Sequence, residues 1–85
     1  MNTRKITYEL EATDTFGGEA NYSWVRRDTF EASDSLSNRA LVRRAKAFAG
    51  FTGLRCEVLD IGDGVQVTPI GRNAPCQTVF VVAQY

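Results

Sequence analysis

A chain of 85 residues predicts one domain, 1–85, with little room for a deep substrate cavity beside its core. A hydrophobic fraction of 44% against 24% charged is that of a globular domain and argues against disorder. Ten acidic and ten basic residues cancel, so whole-chain charge points to no nucleic-acid or membrane partner.

Residues 4–13 alternate with a period of two, Ile6, Tyr8, Leu10 and Ala12 on one face and Lys5, Thr7, Glu9 and Glu11 on the other. This is the pattern of a half-buried antiparallel strand, and it reads as a strand rather than a signal peptide. Gly17-Gly18 supplies the positive φ angles of a hairpin turn. A second strand is predicted from Glu19 to Ala32. Its core parity, Ala20, Tyr22 and Trp24, runs into Arg26 and Asp28 before returning to Phe30 and Ala32. Two charges on a core parity predict a bulge or bend near Val25–Asp28.

Ser37 has the chemistry of a helix N-cap, with Leu36 and Leu41 spaced for a hydrophobic staple. From Asn38 to Ala49, Leu41, Val42, Ala45, Phe48 and Ala49 share one helical face. Arg39, Arg43 and Lys46 lie opposite, with Arg44 on the flank. Gly50 and Gly53 end the helix. Residues 54–60 alternate again, with Leu54, Cys56 and Val58 on one face. Gly62-Asp63-Gly64 turns the chain into a strand over Val65–Thr68, which Pro69 ends or marks as an edge. The last strand, Gln77–Tyr85, is apolar on both parities, as a mid-sheet strand covered on both sides would be, or one that lends a face to a partner. The fold class is therefore α+β: an antiparallel sheet of four or five strands with one amphipathic helix on one face, in the order β-β-α-β-β-β.

The chemistry of the chain is defined largely by what it lacks. Without histidine, Ser-His-Asp and Cys-His catalysis and the commonest metal ligand are excluded. Cys56 and Cys76 form no CxxC, so no zinc site is expected; Cys56 reads as core and Cys76 as a free loop thiol. Phe16-Gly17-Gly18-Glu19 lacks the spacing and the lysine of a phosphate loop. Asp14 with Glu19, or Asp60 with Asp63, could pair for acid–base work, yet solvated loop acids are the simpler reading. No enzymatic activity, no cofactor and no metal are expected. Two thiols and no apolar run near the eighteen or so residues of a membrane span predict a cytoplasmic protein.

Two surfaces carry information. Phe16, Glu19, Tyr22, Trp24, Arg26 and Arg27 cluster on the first hairpin, and Trp, Tyr and Arg are the types enriched in interface anchors. Tyr22 and Trp24 are most simply core or sheet-face residues, and the arginines can be read as decoration of a twisted strand. Residues 35–55 hold five bases and no acid, so Arg39, Arg43, Arg44 and Lys46 form either a solvated helix face or a patch for RNA, DNA or an acidic protein.

The segment DTFGGEANYSWVRR, followed by LSNRALVRRAKAFAGFTGLRCEV, resembles a group of small proteins of phages and prophages, from about residue 5 to residue 83. The resemblance implies a mobile-element origin and a bacterial cytoplasm, and it carries no functional residue over. By analogy with other small phage proteins, the expected role is a non-enzymatic inhibitor of host defence machinery, anti-CRISPR-like, with a host or phage protein such as a CRISPR effector complex as partner. A nucleic-acid-binding protein using the basic helix face, or a phage structural component, is the alternative. The uncovered sheet face also allows a homodimer.

Overall fold

The structure is a computed structural model and describes residues 4–84. Five strands and one helix follow in the expected order: β1 (Lys5–Phe16), β2 (Glu19–Ser33), α1 (Asn38–Ala49), β3 (Cys56–Asp60), β4 (Gly64–Pro69) and β5 (Gln77–Gln84). Tyr85, expected at the end of the last strand, lies outside the described residues. All strand pairs are antiparallel, and the spatial order is β2-β1-β5-β4-β3. The doubly apolar β5 takes the centre, where its two parities meet two different environments.

Ser37 caps α1 as its chemistry requires, its hydroxyl accepting from the Ala40 amide at 3.2 Å. At the other end Gly50 adopts φ 78°, a left-handed conformation that glycine enters without a Cβ clash. That reversal sends Phe51 back beneath the helix, its amide bonded to the Lys46 carbonyl at 2.8 Å. Phe51 is 1% exposed and fills the core beside Leu41 and Ala45. The sheet contributes Tyr8, Leu10 and Ala12 from β1, Val65 and Val67 from β4, and Val79, Val81 and Ala83 from β5. Tyr8 stacks on Phe30 of β2, with ring centroids 5.1 Å apart, and its hydroxyl donates to the Ser33 carbonyl at 2.7 Å.

The helix lies over β4 and β5 and reaches β1 more lightly. The edge strand β3 falls beyond its cover, which corrects one expectation. Cys56, read as core, is only half-buried, and Leu54 and Val58, which the alternation groups with it, are 38% and 46% exposed. Alternation fixed which residues share a face; the single helix was too narrow to cover all of that face.

A second correction concerns the bulge. Val25 to Asp28 pair regularly with Thr13 to Leu10. The register breaks before them, where four β2 residues, Asn21 to Trp24, stand against Asp14 alone. Arg26 and Asp28 keep the helix-facing parity because β2 is the outermost strand, where that parity meets the rim of the helix and solvent rather than the core.

Candidate functional site: the β1–β2 arm

The bulge is built by two side chains of β1. The Thr13 hydroxyl accepts from the Tyr22 amide at 2.9 Å. The Asp14 carboxylate accepts from the Ser23 amide and the Asn21 side-chain amide, each at 2.9 Å, and from the Thr13 hydroxyl at 3.3 Å. Together they satisfy backbone donors that the strand ladder abandons at the bulge. Tyr22 is held at φ 58°, a left-handed conformation unusual for an aromatic residue, and these bonds on either side of it hold the conformation. The same hydrogen bonds, that from Ser23 first, hold the Asp14 carboxyl well below the usual carboxylate range.

The bulge bends the arm over the sheet face that the helix leaves open. Thr13 and Thr78, adjacent on that face, are both fully buried. Thr78 is tied to the Thr68 hydroxyl at 2.8 Å and to the Gln66 amide at 3.1 Å. At the arm's tip, Gly17 and Gly18 turn with φ 63° and 86°. Although β2 and β3 are opposite edges of the sheet, Gly18 joins Glu57, Leu59, Gln66, Thr68 and Ile70 around a shallow cleft of about 300 Å³.

The hairpin residues singled out in the sequence divide among three environments. Phe16, at the tip, is 79% exposed, with Glu19 beside it, also exposed and paired to it across the turn. Tyr22 and Arg27 belong to the open face with Glu11. Arg27 Nε donates to Glu11 at 2.9 Å, and partial burial followed by the Glu11 charge raises the Tyr22 phenol. Arg26 points to the opposite side. Its guanidinium lies 4.8 Å from the centre of the Phe48 ring and donates to the Phe48 carbonyl, so it braces β2 against the C-terminus of the helix. Trp24 closes the bulge and is 40% exposed.

The basic helix face divides as well. Arg44 lies 4.7 Å from the centre of the Phe30 ring, and Lys46 Nζ donates to the Leu54 carbonyl at 2.9 Å. Arg39, Arg43 and Arg44 are all exposed. Asp60, considered above as half of an acid pair, instead accepts from the Gly62 amide at 2.9 Å and from Asn38 at 3.0 Å, which holds its carboxyl below the usual range. It is a turn residue that ties β3 to the start of α1.

Sequence reasoning missed the organising role of Thr13-Asp14. The available signal was a threonine and an aspartate immediately before the hairpin turn, side chains that readily bond nearby backbone amides. It also missed the row of apolar residues at the β3 edge, Val58, Leu59 and Ile61, with Ile70 alongside. None of the described helices is long and apolar enough to cross a membrane. No family model, curated protein or solved structure matches this chain.

Proposed function

We propose that this protein is a non-enzymatic binding module that engages a protein partner through the tip of its β1–β2 arm, and that it acts as a phage-encoded inhibitor of host defence machinery. The observation that carries the binding reading is Phe16, a large aromatic side chain 79% exposed at the end of a braced arm. An aromatic in that position contributes little to the fold, and hydrogen bonds at the base of the arm reduce the ordering cost of binding. Aromatic side chains held on a rigid support are the usual anchors of protein interfaces. Glu19, Tyr22 and Arg27 supply the polar surround, and the cleft under Gly18 can accept a partner side chain. The partner class, a CRISPR effector complex or another defence factor, rests on the resemblance to phage proteins alone.

The test is affinity capture from a bacterial host with nuclease-treated lysate, comparing wild type with Phe16→Ala, alongside phage plating on a CRISPR-bearing host. The expected result is a protein partner lost in the variant, with unchanged thermal stability and lost protection of the phage. Equal capture and equal protection by the variant would remove the arm from the site. Arg39, Arg43 and Arg44, all exposed, leave a second reading, nucleic-acid binding by the helix, with Lys46 turned to the Leu54 carbonyl. A gel shift that weakens steeply with salt would favour it.

A further inference from the structure

The two edges of the sheet are unlike. The outer strand β2 carries Arg26, Arg27, Asp28 and Glu31, the charged protection that edge strands commonly use against pairing. The outer strand β3, CEVLD, has no proline or bulge, and apolar side chains stand exposed on both of its faces, Val58 at 46% and Leu59 at 56%.

The hydrogen-bonding phase of β3 is fixed by its neighbour. Ile61 donates its amide to the Gly64 carbonyl at 3.1 Å, and Ile70 donates to the Arg55 carbonyl at 2.9 Å. In an antiparallel ladder the paired residues then alternate, so the odd-numbered residues bond β4. The backbone groups of Cys56, Val58 and Asp60 therefore point away from the sheet, forming an open half-ladder.

Charge at the two ends of this edge is polarised, with Glu57 between them on the open face. At the Cys56 end lie Arg55 and Lys46, the latter anchored on the Leu54 carbonyl. At the other end lie Asp60 and Asp63, with Asp60 kept ionised by its turn. An edge positive at one end and negative at the other complements itself when reversed.

From this we infer that β3 is the interface of a two-fold symmetric homodimer, in which β3 pairs antiparallel with β3 of a second copy about an axis through Val58. This register pairs Val58 with Val58 of the second copy and Cys56 with its Asp60. It is the one that joins all three outward-facing residues of each strand. It sets each basic end against the other copy's acidic end, and it excludes Val58 and Leu59 from water at the junction. The second edge, β2, keeps its charges, so the pairing closes at two copies. On the open face Glu57 and Leu59, which line the cleft, come to stand opposite Leu59 and Glu57 of the second copy. The inference does not rest on the arm's role: Phe16 lies on the other hairpin, and only the cleft wall of Glu57 and Leu59 is common to the two surfaces.

Sedimentation velocity on the full chain across a concentration series tests it. Wild type is expected to move from monomer to a dimer of twice the 9.4 kDa chain mass. Val58→Lys, which opposes two ammonium groups at the axis, is expected to stay monomeric with unchanged circular dichroism. The register has its own readout in a Cys56→Ser, Cys76→Ser background. Directly paired Cα atoms in a hydrogen-bonded antiparallel pair stand about 5.5 Å apart, within reach of a disulfide. Val58→Cys should then crosslink into a covalent dimer on mild oxidation, and Leu59→Cys should not. A wild type that stays monomeric to the highest soluble concentration overturns the proposal, as does a Val58→Lys variant that still dimerises. Equal crosslinking of the two cysteine variants overturns the register.

Discussion

An ionised Asp14 is what the Asn21–Trp24 bulge requires, and the requirement has a pH signature. Its folded-state pKa lies below the ordinary carboxylate value, so its stabilisation is complete above about pH 4 and is lost as pH falls below that. The stability gap between wild type and Asp14→Asn, read from thermal melts, should be clear at pH 6 and shrink by pH 3. Phe51 and Gly64 matter for packing. Truncating Phe51→Ala removes a buried aromatic beneath the helix and should cost about 3–5 kcal/mol. Against a total of roughly 5–15 kcal/mol, that is a large drop in urea midpoint. Gly64 is required for a different reason: a Cβ there would sit 1.7 Å from the Val81 carbonyl oxygen on the neighbouring strand. Gly64→Ala should therefore prevent normal β4–β5 pairing, seen as collapse of amide dispersion in NMR.

At the scale of elements, patterning in the sequence determines most of what is observed. The helix from Asn38 to Ala49, its Ser37 cap, the Gly17-Gly18 turn and the central place of Gln77–Gln84 all follow from local periodicity and turn chemistry. The position of the bulge does not, because it depends on Thr13 and Asp14 reaching across to another strand. The environment of β3 does not either, because it depends on the width of one helix relative to five strands. The pair Arg26-Arg27 was legible as special but not as divided: adjacent strand residues face opposite sides, so one braces α1 and the other pairs with Glu11. A double charge reversal would therefore mix two effects. Arg26→Glu should lower the melting temperature by detaching the Phe48 end of the helix. Arg27→Gln removes an ion pair that is exposed on the arginine side and worth at most about 1 kcal/mol, without setting a second carboxylate against Glu11, and should leave the melting temperature nearly unchanged.

At the scale of the whole molecule, the described chain measures 45 × 23 × 20 Å, its strands of unequal length running with the arm at one end. The strand order has a kinetic consequence. Both β1–β2 and β3–β4 are hairpins that can close early from local contacts, but each leaves an apolar edge strand, β1 or β4, waiting for β5. The pairing that joins them links Thr7 to Gln84, almost the full span of the sequence. Closing such a loop carries its entropy cost before the core rewards it, so folding should be slow for a chain of this size, in the range of milliseconds to seconds. Until β5 inserts, two sticky half-sheets are exposed at once, and a chain delayed at that stage is the form most prone to aggregate.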